Sequence, residues 1–426
     1  MMQPVSKTIL DNGLTVVLKE MHHAPVTSFM VWYRVGSRNE PTGLTGAAHW
    51  VEHLMFKGTE KFPHGALDRL VSREGGVWNA FTWLDFTAFY ETLPANRIDL
   101  ALELEADRMV NLQMAEADVE AERQVIIAER QMYENDPRFL LNEELSSIAF
   151  RVHPYHHEVI GDLADLQTMT RDDLQGFYRR YYAPNNAVVV AVGDFDTAVM
   201  LHDIQKQFGG IPAGDPIPPV TRPEPAQRGE RRVIVQGPGD TRYLTVAWRA
   251  PIAIHADYLP LTLLNAAFAG GSSLGMFGGG GSNKSSRLYK ALVDTGLAAA
   301  AYGGLAPTID PHLYGINAVA QNGRTLPELE DALHAALARL ENDPITPEEL
   351  AKALKRAKAE FVLAGESITG QAQLLGLTEC AVGDYRWYES VLERLAQVTL
   401  TDLERVRGRY LHGRNRIVGW YEPEST

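Results

Sequence analysis

The order of apolar and polar positions along the chain predicts short strands separated by helices. The alternating segment VWNAFT (77–82) has the pattern of a half-buried strand. Each half of the sequence closes with a helical stretch that leads into a final strand, AVVVAVGDF (187–195) in the first half and NRIVGWYE (415–422) in the second. This order, which occurs twice, predicts an α+β fold in which helices pack on a sheet.

The two halves also share sequence, which predicts a duplicated domain. Residues 172–191 and 401–420 match at a constant offset, and VWYR (31–34) is similar to VAWR (246–249) near the start of each half. The identical pairs in the first match are Asp173/Asp402, Leu174/Leu403, Arg180/Arg409, Tyr181/Tyr410, Asn186/Asn415 and Val189/Val418. Repeated fragments in the same order indicate two homologous domains.

A proline-rich segment separates the halves. Six prolines lie in 212–225, and proline excludes helix and central strand while favouring an extended connector. We therefore predict an N-terminal domain over 1–210, a linker over 211–229 and a C-terminal domain over 230–426.

Composition restricts the chemistry that the chain can perform. The 426 residues carry a formal net charge of -14, with a pI of about 5.4, and this charge opposes binding to a nucleic-acid backbone. The single cysteine, Cys380, excludes an intrachain disulfide and a zinc site built from thiolates. Any metal must therefore be held by histidine and carboxylate side chains.

The apolar segments are strand-sized and too short to span a membrane. The first residues of the sequence also lack the apolar core of a signal peptide. The sequence as it stands predicts a cytoplasmic protein, or a periplasmic one if a leader precedes it.

One apolar segment, AAHWVEHLMF (47–56), contains two histidines and a glutamate. It follows a turn-like segment and contains no proline, so we predict a helix that begins near Thr45. At about 100° per residue, His49 and His53 lie about 40° apart on that helix, and Glu52 lies within about 60° of His49. Two imidazoles one turn apart can bind one Zn²⁺, and a carboxylate beside them can accept a proton from zinc-bound water. A third ligand is required from elsewhere.

An acidic helical segment (115–138) is the candidate source of that ligand. Spacing alone does not choose among its glutamates, which are Glu116, Glu120, Glu122, Glu129 and Glu134. Glu122 and Glu129 are seven residues apart, which places them on one helix face with the apolar residues 125–127 between them. These two carboxylates are therefore candidates for a ligand and a supporting partner.

The segments HWVEHLMFKGT (49–59) and ERQVIIAE (122–129) resemble the M16 zinc peptidases, a family with the inverted H-x-x-E-H motif. The similarity includes LDNGLTVVL (10–18), GGVWNAFTWLDFTAFYETLP (75–94) and SSRLYKALVDTGLA (285–298), so it extends along most of the chain. The short bacterial members match this length best, and the family includes the mitochondrial processing peptidase. The resemblance implies two homologous domains that form half of a clamshell chamber.

The resemblance also implies roles for individual residues. His49, His53 and Glu129 would hold Zn²⁺. Glu52 would be the general base, and Glu122 would support the site electrostatically without binding the metal. In the implied mechanism zinc lowers the pKa of its water, Glu52 takes the proton, and the hydroxide attacks the peptide carbonyl.

In this family the segment corresponding to VWNAFT (77–82) is an edge strand to which the substrate adds as a further strand. Asn79, Ala80 and Phe81 would then contact the peptide. The alternative is a plain edge strand in which Asn79 only caps a turn.

A second histidine group lies in HPYHHE, which contains His153, His156 and His157. The adjacent proline breaks any regular spacing of these residues. We therefore expect solvent-exposed loop histidines there and no metal site.

The second half departs from the family pattern. The resemblance places Leu292 and Ala299 where self-sufficient members have an arginine and, seven residues later, a tyrosine that reach the substrate. The chain has instead a glycine-rich insertion (269–286), similar to a loop in the non-catalytic subunit of the mitochondrial processing peptidase. This insertion is either a mobile loop that samples substrates or disordered filler. The missing pair implies a heterodimer with a homologous chain, with a homodimer as the alternative.

These observations predict a zinc endopeptidase that cleaves unfolded peptides or short polypeptides in an enclosed chamber. The alternatives are a structural subunit of a complex and a peptide-binding subunit without catalysis. The complete set of His49, Glu52, His53 and Glu129 favours the enzyme, because a scaffold has no need for four polar groups that converge on a buried helix face.

Overall fold

The computed structural model describes residues 4–271 and 284–424, and the elements below lie within them. The strands are β1 (Ser6–Ile9), β2 (Thr15–Glu20), β3 (Val26–Tyr33), β4 (Val77–Thr82), β5 (Thr87–Pro94), β6 (Ala187–Gly193), β7 (Arg231–Gly237), β8 (Tyr243–Arg249), β9 (Ala298–Leu305), β10 (Leu313–Ala320) and β11 (Arg416–Pro423). The helices are α1 (Ala47–Leu54), α2 (Ala66–Arg73), α3 (Asp99–Asn111), α4 (Glu116–Tyr133), α5 (Pro137–Ala149), α6 (Leu163–Thr168), α7 (Arg171–Tyr181), α8 (Thr197–Phe208), α9 (Tyr258–Phe268), α10 (Arg287–Leu292), α11 (Leu326–Asn342), α12 (Pro347–Ala364), α13 (Ile368–Ala381), α14 (Arg386–Ala396) and α15 (Leu400–Tyr410). The combination of helices with mixed sheets confirms the predicted α+β class.

Two compact units divide the chain, and neither is continuous in sequence. Unit 1 consists of Met1–Gln131, His153–Pro223 and Gly365–Tyr385, and unit 2 consists of Met132–Val152, Glu224–Ala364 and Arg386–Thr426. The change from unit 1 to unit 2 after Pro223 lies inside the predicted linker, and residues 212–229 contain no helix or strand. The prolines of this segment account for its irregular backbone.

The sheet of unit 1 has the strand order β1-β2-β6-β3-β5-β4 within the described residues. The β2 and β6 strands are parallel, and the other neighbours are antiparallel. Every residue of β6 is buried, which explains why its sequence is continuously apolar. The β4 strand forms one edge and is partly exposed, in agreement with its alternating sequence.

The sheet of unit 2 has the order β7-β11-β8-β10-β9 among the described strands, which repeats the connectivity of β2 to β6 without a counterpart of β1. Its β7 and β11 strands are parallel, as β2 and β6 are in unit 1. The repeated sequence fragments also form the same local structure. Asn186 donates to the carbonyl oxygen of Tyr181 at 2.8 Å, and Asn415 donates to that of Tyr410 at 3.3 Å. The shared topology and these matching bonds support the predicted duplication.

One helix of each unit comes from the other half of the sequence. The α13 helix packs on β3 and β6 of unit 1, and α5 packs on β7, β8 and β11 of unit 2. The predicted domains, 1–210 and 230–426, are continuous and place each of these helices with its own half. The reason for the difference is that an apolar pattern shows that a helix is buried but does not identify the sheet that buries it.

No helix of the described residues is both long enough and apolar enough to cross a membrane. Most of the glycine-rich insertion (269–286) lies outside the described residues. The role predicted for that insertion therefore stays a prediction.

Candidate metal centre

Helix α1 is fixed at its start and along its apolar side. It begins after Gly46, whose φ of 88° lies in the left-handed region that glycine adopts readily. The buried carboxylate of Glu40 accepts hydrogen bonds from the amides of Gly46 and Ala48, both at 2.8 Å, and so satisfies two free amides of the first turn. Trp50 and Leu54 of the same helix are fully buried. These contacts set the direction in which the polar side chains of α1 point.

Helix α4 brings a carboxylate to the two histidines of α1. Glu129 Oε2 lies 3.6 Å from His53 Nε2 and 3.8 Å from His49 Nε2. One ligand atom from each of these three side chains lies within 4.8 Å of the other two. Three residues that are distant in sequence therefore form one cluster of metal-ligating groups.

This donor set fits Zn²⁺. Zinc bonds to nitrogen and oxygen of about 2.0–2.2 Å in a tetrahedral site separate the ligand atoms by about 3.3–3.6 Å, close to the observed distances. Burial lowers the pKa of His49 to about 3, so its imidazole is neutral, which is the form that binds a metal. His49 Nδ1 is also buried without a hydrogen-bond partner among the described residues, so hydrogen bonding does not explain why this ring is buried.

Glu122 orients one of the candidate ligands. Its Oε2 lies 3.0 Å from His53 Nδ1, and its Oε1 pairs with the ammonium group of Lys57. Burial by itself raises the pKa of Glu122, but the hydrogen bonds from His53 and Lys57 outweigh burial and lower the pKa. When His53 Nδ1 donates to this carboxylate, Nε2 keeps its lone pair on the side of Glu129.

Glu52 is a buried carboxylate on the same helix as the histidines. Burial is the largest influence on its pKa and raises it to about 7, while a hydrogen bond from Thr82 acts in the opposite direction. Thr82 Oγ1 donates to Glu52 Oε2 at 2.5 Å. A carboxyl group that titrates near neutral pH can accept a proton and return it, as a general base must.

The structure brings the predicted polar site residues into one region and leaves the other acidic candidates outside it. The residues of that region are His49, Glu52, His53, Glu122 and Glu129. Glu116 and Glu120 are exposed, and Glu134 follows the end of α4. The carboxylates that face the histidines are thus the two that share one helix face.

The apolar residues 125–127, which lie between Glu122 and Glu129 in sequence, are only partly buried. Ile126 is fully buried, but Val125 is 48 % exposed. Consecutive residues of a helix are about 100° apart, so three in a row cannot all face the core.

The predicted substrate-binding residues lie on β4, at one edge of the unit 1 sheet. Asn79 is exposed, and Ala80 and Phe81 are half-buried. The Asn79 side chain accepts a hydrogen bond from the amide of Ala80 at 2.8 Å. The edge position agrees with the predicted strand, and peptide binding there stays a prediction.

The expectation of solvent-exposed histidines in HPYHHE is wrong. His153 and His157 are only 3 % and 5 % exposed. The segment forms a 3₁₀ turn with proline at its start, and His153 Nδ1 accepts a hydrogen bond from the amide of Tyr155 at 3.2 Å. Proline is well suited to the first position of such a turn, so the proline defines a structure here instead of preventing one.

The two positions that lack the family's arginine and tyrosine both lie in unit 2. Leu292 ends α10 and is fully buried, whereas Ala299 is exposed on β9. Neither side chain can supply the polar contacts of the residue that it replaces.

Two residues at the centre were missed in the sequence. Lys57 lies three residues after the end of α1 and pairs with Glu122 of α4, a contact that no spacing in the sequence indicates. Thr82 contacts Glu52 because β4 packs beside α1, and no pattern in the sequence reports that contact.

Two family profiles match the sequence in succession. Residues 15–163 match Insulinase (Peptidase family M16), and residues 168–357 match the Peptidase M16 inactive domain. Zinc protease PqqE of Helicobacter pylori is 31% identical over 407 residues, which cover 94% of this chain and 89% of that protein. The beta subunit of the mitochondrial-processing peptidase of Lentinula edodes is 27% identical over 414 residues, which cover 94% of this chain and 86% of that protein.

A solved structure agrees with these matches. The crystal structure of a protease from Helicobacter pylori has a TM-score of 0.92 and 30% sequence identity, and the match covers 99% of this chain and 100% of that chain. The duplicated fold with a cluster of two histidines and a glutamate defines a chain of the metallopeptidase class. The chain belongs to peptidase family M16, and the relatives that it resembles include proteins named zinc proteases.

Proposed function

We propose that this chain is a zinc-dependent endopeptidase that cleaves unfolded peptides or short polypeptides. The observation that carries the proposal is the convergence of His49, His53 and Glu129, with the buried carboxylate of Glu52 on the same helix. Isolated buried carboxylates and imidazoles are costly, so their presence together favours a metal and a proton-transfer role.

In the proposed mechanism this chain's residues orient the ligands and move one proton. A bound Zn²⁺ would acidify water and polarise the peptide carbonyl. His49, His53 and Glu129 would hold the ion, and the Glu122 carboxylate would keep His53 in the tautomer that leaves Nε2 free. Glu52 would accept the proton of the attacking water and donate it to the leaving amine.

The proposed substrate is an extended peptide that pairs with β4. This strand is at the edge of its sheet, so its outer backbone groups can bond to an added strand. Backbone pairing does not depend on side chains, and it therefore suits a peptidase that accepts many unfolded sequences. Asn79, Ala80 and Phe81 would contact the peptide near the bond that is cleaved.

We propose that the active form contains a second, homologous chain. The buried Leu292 and the exposed Ala299 cannot replace the missing arginine and tyrosine. One relative is named as a beta subunit, which fits a function in a pair of chains. A heterodimer in which the partner supplies both groups is the preferred assembly, and a homodimer is the alternative.

The proposed location is the cytoplasm, or the periplasm if a leader precedes the sequence.

A second candidate function is a peptide-binding or structural subunit without catalysis. Two observations favour this function. Residues 168–357 match a domain described as inactive, and the arginine and tyrosine of self-sufficient members are missing. The two functions differ in one respect, since only the enzyme needs Glu52.

The deciding experiment measures hydrolysis of an unstructured fluorogenic peptide by the zinc-loaded chain, with Glu52→Gln as control. The substitution keeps the size of the side chain but removes the base, so we expect cleavage to fall by at least about 100-fold while zinc content is unchanged. Loss of zinc together with activity would assign Glu52 a structural role. Equal cleavage by both proteins would contradict the proposed mechanism.

If the zinc-loaded chain alone does not hydrolyse the peptide, the same assay is repeated with cell extract fractions that contain homologous chains. Glu52-dependent cleavage that appears only in a mixture would identify the heterodimer. Cleavage by the chain alone at a concentration where light scattering reports a dimer would identify the homodimer.

A further inference from the structure

The hydroxyl of Thr82 connects the edge strand with the candidate general base. Thr82 is the last residue of β4, and its Oγ1 donates to Glu52 Oε2 at 2.5 Å. The residue directly opposite on β5 is Thr87, whose hydroxyl donates to the carbonyl of Val35 at 2.9 Å. Because the proton of Thr87 is used there, Thr82 would have to donate in the 3.4 Å contact between the two hydroxyls, and its much shorter distance to Glu52 Oε2 assigns the Thr82 proton to Glu52.

The hydrogen bond from Thr82 sets the plane of the Glu52 carboxylate. The last torsion of a glutamate has broad, weak preferences, so a free carboxylate rotates easily. Among the described residues, Thr82 is the hydrogen-bond donor to Glu52, and it holds only Oε2. The other oxygen, Oε1, can therefore accept a proton from a molecule that is not part of the protein, such as the attacking water.

The register of β4 places the backbone of Thr82 at the open edge of the sheet. The amide of Ala80 donates to the Asn79 side chain, so it points away from β5. In an antiparallel pair, alternate residues direct their backbone groups to the same side. The backbone groups of Trp78, Ala80 and Thr82 therefore face the edge, where those of Trp78 and Thr82 can bond to an added peptide strand and the amide of Ala80 is held by Asn79.

We propose that Thr82 is a positioning residue that links peptide binding on β4 to the orientation of Glu52, an inference that rests on the proposed peptidase function. A peptide paired with the end of β4 fixes the backbone of Thr82 and, through its hydroxyl, the Glu52 carboxylate. Thr82 then affects the rate of the chemical step more than the binding of peptide, because backbone pairing does not need its hydroxyl.

The test compares Thr82→Val and Thr82→Ser in the zinc-loaded chain, with its partner if one is required. Valine keeps the shape of the side chain but removes the donor, and serine keeps the donor. We expect Thr82→Val to lower kcat about 10- to 100-fold with KM and zinc affinity within about twofold of wild type, and Thr82→Ser to restore most of kcat. Thr92→Val is the matched control, because Thr92 lies in the same sheet and its hydroxyl bonds to Ser28 and Thr369.

A kcat for Thr82→Val within twofold of wild type, or a failure of serine to restore kcat, would overturn the proposal. An equal loss in Thr92→Val would reduce the effect to general destabilisation of the sheet. A rise in KM with unchanged kcat would assign Thr82 to peptide binding alone and would also contradict it.

A measurement without turnover separates this inference from the peptidase function. In protein labelled with ¹³C at the glutamate carboxyl carbons, the Glu52 resonance is identified by its loss in Glu52→Gln. We expect Thr82→Val to shift this resonance and Thr82→Ser to leave it near its original position. If no peptide is cleaved but the resonance shifts, the peptidase function fails and the positioning contact stands. An unshifted resonance overturns the inference whatever the activity.

Discussion

At the residue scale, the candidate metal centre depends on a balance of charge around Glu122. Its carboxylate accepts from His53 on one side and pairs with Lys57 on the other, and its side chain is only 9% exposed. A carboxylate in such surroundings needs a counter-charge, which Lys57 supplies from a side chain that is only 16% exposed. Lys57 therefore acts on the candidate ligand His53 through Glu122.

Removing the ammonium group of Lys57 should weaken zinc binding. Lys57→Met keeps most of the side-chain stem but removes the partner that holds Glu122 in place, so we expect zinc affinity to fall by about 10- to 100-fold. Competition with a chromophoric chelator measures this change. Lys61→Met is the matched control, because Lys61 pairs with Glu103 at an exposed site and should leave the affinity unchanged. Equal affinities in all three proteins would contradict the role of Lys57.

At the scale of elements, α13 depends on close packing against the sheet of unit 1. A methyl group added at Gly376 would lie 2.2 Å from the indole of Trp32, which is fully buried. The same helix carries Cys380, which is buried and whose pKa is raised by burial to about 12. The thiol is therefore unreactive while α13 stays packed, since thiolate is the reactive form.

Gly376→Ala should destabilise unit 1 and expose Cys380. The clash with a buried, rigid ring has no easy relief, so we expect a loss of about 1–3 kcal/mol in the free energy of unfolding and faster reaction of Cys380 with a thiol reagent. Gly176→Ala in α7 is the control, because nothing lies within 4 Å of the added methyl group and alanine favours helix by about 0.5–1 kcal/mol. Similar labelling rates in both variants would show that α13 is not held by this contact.

At the scale of the whole molecule, the duplicated fold carries different chemistry in its two copies. The five strands of the unit 2 sheet have the same connectivity as β2 to β6 of unit 1, yet the cluster of metal-ligating residues found among the described residues lies in unit 1. That cluster requires buried carboxyl groups and imidazoles, whose protonation differs between the folded and unfolded chain. The stability of the whole chain should therefore depend on pH.

We expect the zinc-free protein to lose stability as pH rises from 6.5 to 8. Burial raises the pKa of Glu40 to about 8 and that of Glu52 to about 7, so in this range the folded chain holds more protons than the unfolded chain. Unfolding then releases protons, and higher pH favours it by at most about 1.4 kcal/mol per pH unit for each group. His49, whose pKa is lowered to about 3, acts in the opposite direction but mainly below pH 6.5, where the unfolded imidazole is protonated.

Urea unfolding of the zinc-free protein at several pH values between 6.5 and 8 measures this dependence. Glu40→Gln should flatten the slope, because it removes the group that titrates highest in the range. A wild-type stability that rises with pH in this range would contradict the expectation.

The sequence alone determined the elements and the identity of the candidate ligands. The alternation of apolar and polar residues identified β4, and a continuous apolar run identified β6. The spacing of His49, Glu52 and His53 placed them on one helix face, because that spacing depends only on local backbone geometry. Spacing left several glutamates as possible third ligands of the metal, and the resemblance to the M16 peptidases selected Glu129.

Only the tertiary structure decided which elements meet. It paired α5 and α13 with sheets from the opposite half of the sequence, and it brought Lys57 to Glu122 and Thr82 to Glu52. It also buried His153 and His157, which their spacing had suggested were exposed. These contacts join residues far apart in the chain or depend on turn geometry, and such contacts leave no period in the sequence from which they could be read.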